Sequence, residues 1–434
     1  MQQGVGALWP ASAPVAVRTQ LAAFAGWARR HALLLAVSAS VPVAGMALFF
    51  VGFPFFRPGT WYVGQDHWYA IEQARFVYFG ATGAVYESNS YTSALPGLPI
   101  LYAPAVALAD HLNLVQGVPY FVKHPTMWLA VGPEAYAVGS FMVWGIDALA
   151  AQLGVPTSRR RLLVVSTGLL VVLPAVDLAG HPEDCAALGM LCFALAAHLR
   201  GEDRKVGWWL SAAILMQTWV LLVCPVLFFA TPSGRRVGMA VRAALFPVLV
   251  FSACLAATPA LAWRQVVSVQ PMPRDGQFTP WYAIAPRLAR HHEVAGESSR
   301  RWAALLAAAL GSIGLRRPSP RTVLLIASGV LLVRPLFETS DWGYYSMPGL
   351  VLAAVVAAAS PRRSWYWLLG AAVVLSGPTY GYWYLPRMSP WLFLAVLAAS
   401  SAGVLAWSAH VTKQTLAGPS PPATGVARAG AGPI

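Results

Sequence analysis

Long apolar runs separated by short charged clusters make up most of this chain. Residues 32–56, 206–234 and 243–263 contain no charged side chain, and a helix crossing a bilayer needs roughly 20 apolar residues. Stretches at 134–153, 162–178, 184–199, 238–260, 301–315, 321–337, 344–360, 364–380 and 391–409 are nearly as apolar. With a first span at 32–53, the pattern predicts an all-α polytopic membrane protein of about ten transmembrane helices.

The basic clusters orient these spans. Loops on the cytoplasmic side collect Lys and Arg. Placing Arg29 and Arg30 inside, and following the chain outward and back, brings Arg159–Arg161, Arg200, Arg204, Lys205, Arg316, Arg317, Arg362, Arg363 and Lys413 to the same side. The block 206–234 ends at Arg235 and Arg236, which one crossing would leave outside. A re-entrant hairpin of two short helices, bent near Gln217 and Thr218, keeps them inside. Such broken helices occur where they line a cavity within protein. Segment 93–112 holds three prolines and is expected at the outer interface, or dipping into the membrane, because a full crossing there reverses every later assignment. The resulting plan is a cytoplasmic segment 1–31, a transmembrane domain 32–410 with external loops 54–133 and 264–300, and a Pro-, Gly- and Ala-rich disordered cytoplasmic tail 411–434.

Composition narrows the class further. The chain is 57% hydrophobic and 11% charged, whereas a soluble domain carries about a quarter charged residues. The net charge of +14 sits in clusters between apolar runs, which argues against a nucleic-acid partner. Cys185, Cys192, Cys224 and Cys254 lie in or beside apolar segments, without metal-ligand spacing, and read as small core residues. The run after Arg30 is too long for a signal-peptide core and is expected to remain as the first span.

Four polar segments gather outside under this plan: 57–92, 178–184, 264–300 and 334–345. Asp66 stands among Trp61, Tyr62, Trp68 and Tyr69. It reads either as the N-cap of a helix over 67–80, with Glu72 and Arg75 on its surface, or as a functional carboxylate beside sugar-stacking aromatics. His181-Pro182-Glu183-Asp184 combines metal-ligand residue types with a helix start, Pro in the first turn and acids at the positive dipole end. The helix start is the preferred reading, because neighbours on one turn rarely converge on an ion. Arg334 interrupts the outer end of a span, as a snorkelling anchor or a phosphate clamp, with Tyr344 and Tyr345 beside it. The loop 264–300 supplies Arg274, Trp281 and Tyr282 as a possible lid over substrate.

Together, Asp66 in GQDHWY, the HPED turn and the RPLFETSDWGYYSMP string resemble the GT-C superfamily of membrane glycosyltransferases. They are most similar to the polyprenyl-phosphate-mannose-dependent enzymes of glycosyltransferase family 87. The chain differs from many relatives in having a single aspartate in the first loop and Glu338 where they place aspartate. The resemblance implies a multi-pass enzyme of the plasma membrane, with its active site on the extracytoplasmic face. It would move a hexose, mannose by preference, from a polyprenyl-phosphate-sugar donor to a lipid or glycan acceptor. Asp66 would be the general base in an inverting displacement, with His67 as the fallback base. Arg334, Tyr344 and Tyr345 would hold the donor phosphate. His67, Trp68, His181, Glu183, Arg274 and Trp281 would line the substrates, with no metal or other cofactor required. The competing reading is a multi-pass transporter or lipid flippase without transferase activity. A non-catalytic structural subunit comes third.

Overall fold

A computed structural model describes residues 15–52, 63–81, 95–114, 125–263, 295–313, 318–334 and 347–359, with Trp61, Val85, Tyr86, Leu315 and Tyr345 between them. The described residues form helices and no strand. In chain order they are α1 (Val15–Arg30), α2 (Ala32–Ala47, prolonged by a π-helical turn, Leu48–Gly52), α3 (Gln65–Tyr78) and α4 (Gly97–His111). Next come α5 (Trp128–Gln152), α6 (Thr157–Thr167, prolonged by π-helical turns through Ala179), α7 (Pro182–Leu199) and α8 (Asp203–Met216). They are followed by α9 (Cys224–Ala230), α10 (Ser233–Ala257), α11 (Pro259–Trp263), α12 (Ala295–Ser312), α13 (Pro320–Val333) and α14 (Met347–Ala358).

Among the described residues, four helical segments are long and apolar enough to cross a membrane: Ala32–Val51, α5, α7 and α10. The crossings expected at 321–337 and 344–360 are shorter, at 14 and 12 residues in α13 and α14. α5 begins at Trp128, ahead of the expected 134, and carries Pro133 inside it. Spans expected at 364–380 and 391–409, residues 264–294 of the expected loop, Glu338, Tyr344 and the tail lie outside the described residues, whereas residues 295–300 of that loop already belong to α12.

The helix directions follow from side-chain pairs. Trp144 on α5 donates to Ser38 Oγ on α2 (2.8 Å). Gly45 on α2 lies against Tyr136 on α5, so the two run antiparallel. α5 and α7 run parallel and nearly touch, since a Cβ on Gly145 would fall 2.1 Å from the Gly189 carbonyl. Close backbone approach through small residues is how helices associate where lipid removes the hydrophobic drive. α7 and α8 are antiparallel, since Glu183 meets Gln217 and Asp184 meets Trp219.

After α8 the chain breaks at Gln217, whose backbone is extended (φ −151°, ψ 124°). It then turns through a 3₁₀ segment, Thr218–Leu222, into α9. This return brings Arg235 beside Asp203 (3.1 Å), at the end where α8 began. The bend expected at Gln217 and Thr218 therefore exists, and the chain comes back to the end it left. Ser211 Oγ accepts from the Phe246 amide, so α10 runs parallel to α8.

Segment 93–112 forms α4, which lies parallel to α3. The Arg75 guanidinium spans both Asp110 oxygens (3.1 and 3.0 Å) and also reaches Glu72 (2.7 Å). A Cβ on Gly97 would meet the Leu215 carbonyl at 2.4 Å, so α4 is seated on the end of α8 with no room for a larger residue.

Candidate functional site

The site starts from two helix N-termini at the same end of the bundle. At the first, Gly180 adopts the left-handed backbone region (φ +74°), which glycine enters without a steric penalty. It ends the π-helical turn Ala175–Ala179 and delivers His181 ahead of α7. Pro182 opens α7 and Glu183 and Asp184 occupy its first turn, where carboxylates are favoured by the helix dipole. At the second, Gly64 holds the N-cap position of α3 and Asp66 lies within the first turn. The expectation of Asp66 as N-cap is thus corrected. The helix begins two residues earlier, and the carboxylate is directed to another element.

That element is α7. His181 Nε2 lies 2.8 Å from Asp66 Oδ2, and His181 Nδ1 lies 2.7 Å from Glu183 Oε1. Glu183 Oε1 also accepts from Gln217 Nε2 (3.3 Å), while its buried Oε2 has no hydrogen-bond partner among the described residues. The Trp219 indole N–H donates to Asp184 Oδ1 (2.6 Å). On the far side of that indole stands Arg334. Its guanidinium carbon is 5.8 Å from the Trp219 ring centroid and 4.2 Å from that of Tyr345, within cation–π range. Glu183 and Asp184 are each 3% exposed and Arg334 8%. Such burial is tolerated only because these charges face one another.

Burial alone works against a charged His181. The Asp66 and Glu183 carboxylates outweigh it and hold the imidazole well above its ordinary value. With both nitrogens facing carboxylate oxygens, His181 is a doubly donating imidazolium. Its neighbour in the cluster behaves oppositely. His67 is 1% exposed, its Nε2–H donates to the Val176 carbonyl (2.9 Å), and its Nδ1 accepts from the Tyr102 hydroxyl (3.1 Å). Desolvation lowers its pKa to about 4. His67 is therefore a satisfied core histidine. The structure does not place it at a substrate surface or make it available as a fallback base.

The structure thus brings together Asp66, His181, Glu183, Arg334 and Tyr345. Trp68 stays two positions from Asp66 along α3, packed edge-on against Tyr69 (5.4 Å). Arg274, Trp281 and Tyr344 lie outside the described residues. The HPED turn does more than start a helix: ligand-type atoms of His181, Glu183 and Asp184 lie within 4.8 Å of one another. Convergence was not expected of residues on one turn. It arises because His181 precedes the helix, at φ −119° and ψ 60°, and folds back over the first turn. In this arrangement the two ring nitrogens pair with the Asp66 and Glu183 carboxylates. Sequence reasoning missed Trp219 and undervalued Asp184 and Gln217. The signal was the Gln-Thr-Trp triplet, at a helix break inside an uncharged run.

Comparison with protein-family models, with curated proteins and with solved structures gave no match.

Proposed function

We propose that this chain is an integral membrane glycosyltransferase of GT-C-like architecture, with about ten crossings in the plasma membrane. It moves a hexose, mannose by preference, from a polyprenyl-phosphate donor to a lipid or glycan acceptor at the extracytoplasmic face. The reading rests on one observation: the first-loop carboxylate Asp66 and the guanidinium of Arg334, far apart in sequence, belong to one buried cluster at the end away from the basic loops.

The chemistry suits these groups. Asp66, 33% exposed at its side chain, takes the proton of an acceptor hydroxyl as that oxygen bonds to the anomeric carbon. The bond from that carbon to the phosphate oxygen breaks, its electron pair leaves on the lipid phosphate, and configuration inverts in one displacement. Arg334, gripped by Trp219 and Tyr345, neutralises the phosphate charge as it grows. A transporter reading expects ionisable groups along a route through the membrane. Here the buried polar cluster sits at one end.

The direct test supplies labelled polyprenyl-phosphate mannose to the purified chain in lipid nanodiscs, together with membrane-extracted lipids. Transfer by the wild type and none by Asp66→Asn is the expected result. A wild type that transports or binds the lipid but never breaks the sugar–phosphate bond overturns the proposal.

A further inference from the structure

The imidazole of His181 has a role that substrate contact does not describe. It lies between two carboxylates from different helices, 2.8 Å from Asp66 Oδ2 and 2.7 Å from Glu183 Oε1, and only 14% of its side chain is exposed. Glu183 is in turn held by Gln217, at the break after α8. Asp66 is the more open member of this chain of contacts, and among the described residues its polar partner is His181. A carboxylate held by one oxygen presents its other oxygen in a fixed direction, which is what a general base requires of its geometry.

We propose that His181 is the positioning residue for Asp66. It acts as an imidazolium clamp that fixes the aspartate by Oδ2, leaves Oδ1 for the acceptor hydroxyl, and ties the base to the buried acid Glu183. This rests on the reading of Asp66 as the base. The charged and titratable groups around the imidazole are Asp66 and His67 on α3, Tyr102 on α4, Glu183 and Asp184 on α7, and Arg334 beyond Trp219. The three carboxylates favour its proton, Arg334 opposes it, and His67, with its pKa held at about 4, is neutral at physiological pH. The two nearest groups are both carboxylates, so the clamp stays charged.

Two measurements test this, and the first needs no substrate. In the full chain, labelled with ¹⁵N-histidine and held in nanodiscs, His181 signals are assigned by their loss in His181→Gln. Both ring nitrogens are expected to be protonated at about pH 8, where an ordinary histidine of pKa about 6.5 is neutral. Asp66→Asn should lower the pH of that deprotonation by about one unit or more. A neutral ring at pH 7, or the same titration in Asp66→Asn, overturns the clamp.

The second uses transfer from polyprenyl-phosphate mannose. His181→Ala should lower kcat by about 10²-fold with KM little changed, and free imidazole in the buffer should restore part of the loss. An undiminished kcat, or a loss that appears only in KM, overturns the positioning role. If the wild type transfers no sugar, the transferase reading fails by itself, and the nitrogen spectra still decide whether the clamp exists.

Discussion

The two ends of the helix bundle handle charge in opposite ways. At the end carrying the basic clusters, each described ion pair keeps its basic member partly exposed. Arg160 grips Asp147 (2.6 Å), Arg235 meets Asp203 (3.1 Å), and Arg200 and Lys205 share Glu202. Arg159 caps the last turn of α14 through the Ala358 carbonyl, and Arg236 closes α9 through Phe229 and Thr231. These are anchors, each satisfied by its nearest acceptor. At the other end, three carboxylates, an imidazolium and a guanidinium come from three separate stretches of chain, and most are nearly fully buried. One of the oxygens, Glu183 Oε2, has no hydrogen-bond partner among the described residues. A fold selected only for stability does not collect charges this way, because burying them rarely yields a net gain. On the function proposed above, the difference separates positions that hold the protein in place from positions that serve the chemistry.

The largest expected effect separates the ends by activity. Asp66→Asn should reduce sugar transfer by about 10²–10⁴-fold, because the amide cannot accept a proton. Asp147→Asn, which breaks an equally short pair at the basic end, should leave transfer rates at wild-type level. Equal losses in the two variants, measured with the same lipid-phosphate donor, would remove the distinction.

Stability against pH should sharpen it within the acidic end. His67, held at about 4 when folded, stays neutral while the unfolded chain takes up a proton near pH 6.5. Its contribution is therefore complete above about pH 6.5 and falls by roughly 3 kcal/mol as pH drops to about 4. His181 is shifted the other way. Its stabilisation is complete below pH 6.5 and is lost as pH rises through its raised folded value. Thermal unfolding of His67→Gln and His181→Gln from pH 4 to 9 should show wild type losing its advantage over the first on acidification. Its advantage over the second should shrink as the solution becomes alkaline. Parallel profiles for both variants contradict the assignment.

Trp219→Phe removes the indole N–H but keeps a ring beneath Arg334. Asp184 Oδ1 then loses its donor in a buried site, for a cost of about 1–3 kcal/mol in unfolding free energy. No change in the melting profile would mean that Asp184 finds another donor. The smallest expected effect is at the basic end, where Glu202→Gln should leave unfolding unchanged. The Arg200 and Lys205 pairs hold the Glu202 carboxyl below its ordinary pKa, but the group is open to solvent, and such pairs contribute little. The sidedness of the two ends can be read by labelling. Single cysteines at Ser88 and Gly276 should react with an impermeant reagent from outside, and those at Thr157 and Ser364 should not.

The sequence by itself determined the class, an all-helical chain with helices long enough to cross a membrane. Runs without charge require helices in a membrane, since only a helix or a closed barrel satisfies its backbone groups there. Arginine placement put Arg204 and Arg235 on one side, and that alone required the bend at Gln217 that the structure contains. It also nominated Asp66, His181, Glu183 and Arg334, because polar residues at the outer ends of apolar runs stand out.

Their roles, however, depended on distances that no spacing encodes. His67 and His181 look alike in the sequence, each beside an acid and aromatic or apolar neighbours. Packing decided that one donates to the Val176 carbonyl in the core and the other bridges Asp66 and Glu183. Trp219 drew no notice within its apolar run, and only the return of the chain after α8 set its N–H on Asp184 and its ring beneath Arg334. Periodicity fixes which face of a helix is apolar, but the convergence of side chains from α3, α7, the α8 break and α13 is a property of how those helices cross. That crossing is set by contacts such as the one between Gly145 and Gly189, which lie far from the charges they align.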